Sequence, residues 1–60
     1  MKAILFAKVM SKKYNCKIDI EIINGYFAYV IDGEFVAYVD NSFEYIEDEI
    51  KFALNIDMEV

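Results

Sequence analysis

The stretch INGYFAYVIDGEFVAYVD, residues 22–39, contains two tight turns and determines the predicted sheet. Each turn, Asn24-Gly25 and Asp32-Gly33, supplies the two residue types that best tolerate the positive φ angles of a type I′ hairpin. Residues 26–31 and 34–39 are rich in aromatic and β-branched side chains, which favour strands. The stretch therefore predicts antiparallel strands joined by two-residue loops.

The segment before the first turn, residues 16–23, alternates apolar and polar side chains. Such alternation is typical of a strand with one face in water. The first turn pairs Ile23 with Tyr26, and the second pairs Ile31 with Glu34. Counting outward from these pairs assigns every strand residue to one of two faces.

Both faces of the predicted sheet are apolar in the second and third strands. The face expected to form the core carries Ile18, Ile20, Ile22, Phe27, Tyr29, Ile31, Val36 and Tyr38. The opposite face carries Asp19, Glu21, Ile23, Tyr26, Ala28, Val30, Phe35, Ala37 and Val39. Three strands are about 14 Å wide, and two helices of about 10 Å each suffice to cover a single face. The second face is then bare and exposes several hundred Å² of apolar surface, roughly the size typical of an interaction site.

A helix is predicted on each side of the strands in the sequence. Residues 2–14 are good helix formers with lysines near the end, and Asn15 suits a left-handed cap. An edge strand over residues 2–9 is the alternative. The second helix follows a cap at Asn41 or Ser42 and has acidic residues in its first turns.

The second helix also carries two aromatic residues, Tyr45 and Phe52, that point away from its apolar stripe. The tail, residues 56–60, is expected to fray or to add a strand. The predicted order is α-β-β-β-α. It is an α+β fold with a three-stranded antiparallel meander and two flanking helices, in a single domain over residues 1–60.

Composition predicts a small folded protein. Hydrophobic residues make up 58% of the 60-residue chain, and the net charge is −5. A domain of this size buries only about 60% of its unfolded surface, so oligomerisation is a common means of stabilisation. The one cysteine, Cys16, excludes an internal disulfide and is expected to be a buried strand residue. With no signal peptide or membrane span expected, the predicted location is the cytoplasm of a bacterium or of a cell that hosts a virus.

Catalysis, cofactor binding and metal binding are not expected. The chain lacks His and Arg and has no glycine-rich phosphate loop. The acidic segment over residues 40–49 lacks the spacing and the glycine of a calcium loop. Five lysines lie in residues 1–17, but acidity elsewhere and the absence of Arg argue against direct nucleic-acid binding.

Charge divides the chain into a basic and an acidic part. Residues 1–17 carry +5, whereas residues 18–60 carry −10. In size and charge only, the chain resembles phage-encoded inhibitors such as anti-CRISPR proteins and other nucleic-acid mimics. The resemblance implies an inhibitor that blocks a basic nucleic-acid-processing enzyme, since carboxylates imitate phosphates in sign and spacing. The lysine-rich segment departs from a uniformly acidic mimic.

Three explanations account for the second apolar face: one helix lies on each face, the face pairs with a second copy, or it binds a different protein. The main functional hypothesis is an acidic interaction protein, an inhibitor or adaptor, that binds a larger protein. The alternative is a homodimer that uses the hairpin face as its own interface. Neither a membrane nor a cofactor is expected as a partner. The predicted partner-binding residues are Tyr26, Val30, Phe35, Val39, Tyr45, Phe52, Glu44, Glu47, Asp48 and Glu49.

Overall fold

A computed structural model describes residues 2–56 and has the predicted α-β-β-β-α order. The elements are α1 (Lys2–Tyr14), β1 (Ile18–Ile23), β2 (Tyr26–Ile31), β3 (Glu34–Tyr38) and α2 (Phe43–Ala53). The strands form one antiparallel sheet in the order β1-β2-β3. The first segment is a helix and not an edge strand, and β1 begins two residues later than predicted. The prediction for the tail falls mostly on residues 57–60, outside the described residues.

An asparagine with positive φ follows each helix. Asn15 has φ 54° and Asn55 has φ 61°. The residue after each asparagine donates its backbone N–H to a carbonyl of the last helical turn. Cys16 donates to the Ser11 carbonyl at 3.0 Å, and Ile56 donates to the Lys51 carbonyl at 3.0 Å. This pattern satisfies carbonyls that have no partner within the helix.

Ser42 is the N-cap of α2. Its backbone is extended, and its hydroxyl accepts a hydrogen bond of 3.1 Å from the backbone N–H of Tyr45. The hydroxyl thereby satisfies one of the free N–H groups at the start of the helix. Of the two predicted caps, Ser42 and not Asn41 is the one used.

The two hairpin turns have the predicted geometry. Asn24 and Gly25 have φ 54° and 83°, and Asp32 and Gly33 have φ 53° and 82°. Positive φ at both central residues is the mark of a type I′ turn. The register of β1 with β2 follows from the first turn, and all six pairs between Ile18–Ile23 and Tyr26–Ile31 agree with the prediction.

A β-bulge changes the predicted register of β3. Val30 pairs with Phe35 as expected, but Tyr29 then pairs with Ala37, so Val36 is an extra residue in β3. A bulge of this kind places two consecutive side chains opposite one residue of the partner strand. Here Val36 and Ala37 both pack in the core with Tyr29.

The bulge moves three residues to the face opposite the predicted one. Ala37 is buried in the core, and Val39 packs against the core, although both were predicted on the other face. Tyr38 leaves the predicted core face and contacts the rings of Tyr26 and Phe35. The predicted faces of β3 are therefore correct only as far as Val36.

Both helices pack on the same face of the sheet, hereafter the helix face. One core cluster contains residues from α1, from the strands and from α2: Ala3, Ala7, Met10, Ile18, Tyr29, Ile31, Val36, Ala37, Ile46 and Ile50. The explanation in which one helix lies on each face is therefore wrong. We call the opposite side of the sheet the outer face. Within the described residues, no helix lies on it.

Tyr29 is the centre of this core. It is fully buried, and its ring packs edge-on against Phe6 with 5.8 Å between the ring centroids. Its hydroxyl donates a hydrogen bond of 3.3 Å to the Ala3 carbonyl. Phe6 in turn stacks on Phe43 at 4.4 Å and links the two helices. Aromatic contacts of this kind add about 0.5–1.5 kcal/mol each beyond the burial of apolar area.

The core does not reach the first hairpin turn. Ile22 and Phe27 were predicted in the core, but they are 66% and 50% exposed. They form the cross-strand pair next to the pair that closes the turn. The helices thus leave this end of the helix face uncovered.

Candidate protein-binding surface

Three aromatic rings lie in contact on the outer face. The ring of Tyr38 packs edge-on against Tyr26 and Phe35, with 5.8 Å and 4.9 Å between the ring centroids. Tyr26 and Phe35 are 65% and 50% exposed. Asn24 of the first turn donates a hydrogen bond of 3.2 Å to the Tyr38 hydroxyl. We call Tyr26, Phe35 and Tyr38 the aromatic strip.

Two residues of β2 are buried on the outer face, although no helix of residues 2–56 lies over it. Ala28 and Val30 are 0% and 1% exposed. Ala28 is paired with Tyr38 on one side, and Val30 with Phe35, so small side chains lie beside large aromatic ones. The predicted exposure of Val30 is therefore wrong, because its neighbours shield it. The large apolar side chains that are exposed on the outer face are the aromatic residues Tyr26 and Phe35.

Two carboxylates lie across the sheet from the aromatic strip. Glu21 is paired with Ala28 and Asp19 with Val30, so β1 carries acids where β3 carries rings. Both acids are exposed. Among residues 2–56 a salt bridge is formed only between Lys13 and Glu47. Both outer-face carboxylates are thus available to a cation from another molecule.

A cleft lies between β3 and α2, at the end of the sheet that carries the second turn. It has a volume of about 610 Å³ and opens between the second turn and the C-terminal half of α2. Its lining combines apolar, aromatic and acidic side chains, namely Ile31, Asp32, Glu34, Phe35, Val36, Tyr45, Glu49, Phe52, Ala53 and Leu54. We call it the acidic cleft. Phe35 belongs both to the cleft and to the aromatic strip.

The acidic cleft brings together residues that the sequence placed on separate elements. Phe35 was predicted on the sheet, whereas Tyr45, Glu49 and Phe52 were predicted on α2. All four line the cleft, with Phe52 75% and Tyr45 49% exposed. The aromatic residues on the far side of α2 are thus continuous with those of β3.

Other predicted residues lie elsewhere. Glu44 and Asp48 are exposed on α2 but do not line the cleft. Val39 is half-buried and packs against the core. Glu47 faces α1, where its carboxylate accepts from the Lys13 ammonium at 2.7 Å and from the Tyr14 hydroxyl. Glu47 therefore links the two helices.

Sequence reasoning missed several residues of this surface. The alternation of the sequence places Tyr38 in the core, because it does not reveal the bulge. It identifies Asp32 and Glu34 only as a turn residue and its neighbour. Their closeness in sequence to Phe35 was the signal that would have placed all three at one end of the sheet.

The link between the helices makes stability depend on pH. The Lys13 hydrogen bond, followed by that from Tyr14, lowers the pKa of Glu47 from its ordinary value of 4.5. A lowered folded-state pKa stabilises the fold above pH 4.5, and this stabilisation is lost as the pH falls through the folded-state value. Glu47→Gln is expected to lower the melting temperature at neutral pH, with the difference from wild type shrinking below pH 4.5. Thermal unfolding followed by circular dichroism across this pH range measures the effect.

Asp48→Asn is the matched control, because it removes one negative charge from an exposed position of the same helix. It changes the net charge as Glu47→Gln does but leaves the bonds from Lys13 and Tyr14 intact. Identical pH profiles for the two variants would contradict the role assigned to Glu47.

Four of the five lysines of residues 1–17 belong to α1 and lie on the helix side of the molecule. The exposed surface of α1 carries Lys2, Lys8 and Lys12 together with Leu5 and Val9, which are 63% and 51% exposed. Because α1 packs on the helix face, these lysines are separated from the outer face by the sheet. Acidic residues lie on this side as well, because α2 packs on the same face and its Glu47 forms a salt bridge with Lys13.

Three features of residues 2–56 bear on other kinds of site. Within residues 2–56, no three Cys, Asp or Glu side chains are grouped to hold a metal ion. Burial, and to a lesser extent Asp32, raises the pKa of the Cys16 thiol, which disfavours the nucleophilic thiolate. No helix in this part of the chain has the length and hydrophobicity to cross a bilayer. Comparisons with protein-family models, curated proteins and solved structures found no match for the chain.

Proposed function

We propose that this protein is a non-enzymatic binding protein, an inhibitor or adaptor, that attaches to a larger protein through the outer face and the acidic cleft. The observation that carries the proposal is the aromatic strip, in which Tyr38 contacts both Tyr26 and Phe35 on a face that no helix of residues 2–56 covers. Exposed Tyr and Phe residues are enriched at protein interfaces, and Tyr is frequent among the residues that dominate binding energy.

The proposed partner presents basic groups around an apolar patch. Asp19 and Glu21 flank the strip on one side, and the acidic cleft continues it on the other. Carboxylates around an aromatic centre favour a partner with positive charge and accelerate its association. A basic nucleic-acid channel has this character, and an acidic protein seated in it excludes the natural ligand. The four lysines of α1 lie on the helix side, away from the outer face, which supports this orientation.

A homodimer is the second candidate, because the aromatic strip also offers an apolar surface to another copy. Covering the strip in this way would remove exposed aromatic area from water. Charge opposes it, since each copy carries −5 and the outer face carries the acids Asp19 and Glu21. Light scattering after size exclusion distinguishes the candidates: a monomer is expected, and a dimer dissociated by Phe35→Glu would favour the alternative.

The main proposal is tested by affinity capture from a lysate of the source cells. The immobilised wild type and the Tyr26→Ser/Tyr38→Ser variant are compared by mass spectrometry, with Leu5→Ser as the matched control on α1. We expect at least one protein retained by wild type and Leu5→Ser and lost from the double variant. Its purified form should bind with the same preference, and capture of the same proteins by all three baits would overturn the proposal.

Glu47 is unsuitable for a charge-reversal test, although it was predicted at the partner surface. Its reversal to lysine would bring it beside Lys13 and break the link between the helices. Glu34 and Glu49 line the cleft, and Asp19 and Glu21 lie on the outer face. Reversals at these four positions change the acidic surface without disturbing that link.

A further inference from the structure

We propose that the acidic cleft binds an arginine side chain presented by the partner protein. This inference rests on the proposed function and assigns a chemical class to the group that the cleft receives. The cleft lies between β3 and the C-terminal half of α2, and its volume of about 610 Å³ is within the roughly 300–1,000 Å³ of small-ligand sites.

The charge of the lining selects a cation. Three carboxylates line the cleft, those of Asp32, Glu34 and Glu49, and no lysine does. None of the three forms a salt bridge within residues 2–56. A cation entering the cleft therefore meets several acceptors whose charge is not already neutralised.

A guanidinium suits a lining with several carboxylates. It carries five N–H donors in one plane, so a single head group can bond to more than one carboxylate. Within residues 2–56, no three acids are grouped to hold a metal ion.

The apolar part of the lining offers a packing surface for the methylene chain of an arginine side chain. Tyr45, Phe52 and Phe35 provide exposed rings, and Ile31 and Leu54 provide aliphatic contacts. Guanidinium groups stack on aromatic rings, and the methylene chain of arginine packs along apolar surface. Arginine is favoured over lysine because its planar head can stack on a ring and bond to more than one carboxylate.

The probe for the test is a capped Gly-Arg-Gly peptide titrated into the full chain and followed by NMR. The control peptide replaces arginine with citrulline, which has nearly the same shape but no charge. We expect saturable shifts at Tyr45, Glu49 and Phe52 with the arginine peptide and binding about tenfold weaker with citrulline. Equal binding of the two peptides, or shifts centred on Asp19 and Glu21, would overturn the inference.

Two variants of the full chain complete the test. Glu49→Gln and Phe52→Ser alter the cleft alone, and each is expected to weaken binding of the arginine peptide several-fold while Asp48→Asn does not. If these cleft variants still bind the peptide as wild type does, the inference fails.

If they fully retain the captured partner while Tyr26→Ser/Tyr38→Ser loses it, the proposed function stands and the assignment of arginine falls. If the peptide binds the cleft but no partner depends on the strip, the proposed function fails instead.

Discussion

Tyr29→Ala is expected to unfold most of the protein at 25 °C. The side chain is 0% exposed, contacts Phe6 edge-on and donates a hydrogen bond to the Ala3 carbonyl. Truncating a large buried aromatic residue costs about 3–5 kcal/mol through lost burial and the cavity left behind. A domain of this size has a total stability of roughly 3–5 kcal/mol, so the loss is comparable to the whole. Urea unfolding followed by circular dichroism measures it.

Tyr29→Phe is the matched control, because it keeps the ring and removes only the hydroxyl that bonds to Ala3. Its expected cost is about 0.5–1.5 kcal/mol, the net value of one hydrogen bond. A Tyr29→Ala variant that remains folded with a loss below about 1 kcal/mol would contradict the placement of this residue beneath both helices.

Phe35→Ser is expected to weaken binding of the captured partner by at least about 30-fold, the effect of losing a dominant interface residue worth about 2 kcal/mol. Phe35 is half exposed and belongs to both the aromatic strip and the acidic cleft, so it lies at the centre of the proposed surface. Residues near the centre of an interface contribute most because their neighbours exclude water from them. Isothermal titration calorimetry with the purified partner gives the dissociation constants.

Leu5→Ser provides the comparison for this experiment. Leu5 is a similarly exposed apolar residue, at 63%, but it lies on α1 at the opposite side of the sheet. Its replacement should leave the affinity within about twofold of wild type, as for surface residues outside an interface. An affinity that falls equally in both variants would place the partner elsewhere.

Much of the fold was predictable because its signals are local. Asn24-Gly25 and Asp32-Gly33 fix turn geometry by their tolerance of positive φ, and the register of β1 with β2 follows from the first turn. Asn15 and Ser42 likewise act within a few residues of their own positions. These features depend little on how the elements pack.

The bulge was not predictable for a specific reason. Residues 35–39 are all apolar, so both phases of alternation fit them equally well. No polar residue in this segment indicates which face is exposed to solvent. The sequence therefore does not show that Val36 interrupts the pairing of β3 with β2. The outcome depends on tertiary packing, which favours Val36 and Ala37 together beneath the helices.

The candidate site was predictable only in part. Exposed aromatics at Tyr26, Phe35, Tyr45 and Phe52 followed from the faces of the strands and of α2. Their union in one surface did not, because it depends on where α2 packs against β3. The burial of Val30 also escaped prediction, since larger neighbours on the sheet cover it.

The central claim is that the outer face of the free protein is open to solvent and available to a partner. Paramagnetic relaxation enhancement by a soluble gadolinium chelate tests it on the isotope-labelled chain. We expect strong broadening of the ring signals of Tyr26 and Phe35, with the buried ring of Tyr29 protected. Protection of Tyr26 and Phe35 to the same degree as Tyr29 would show that a helix or a second copy covers the face, and would contradict this claim.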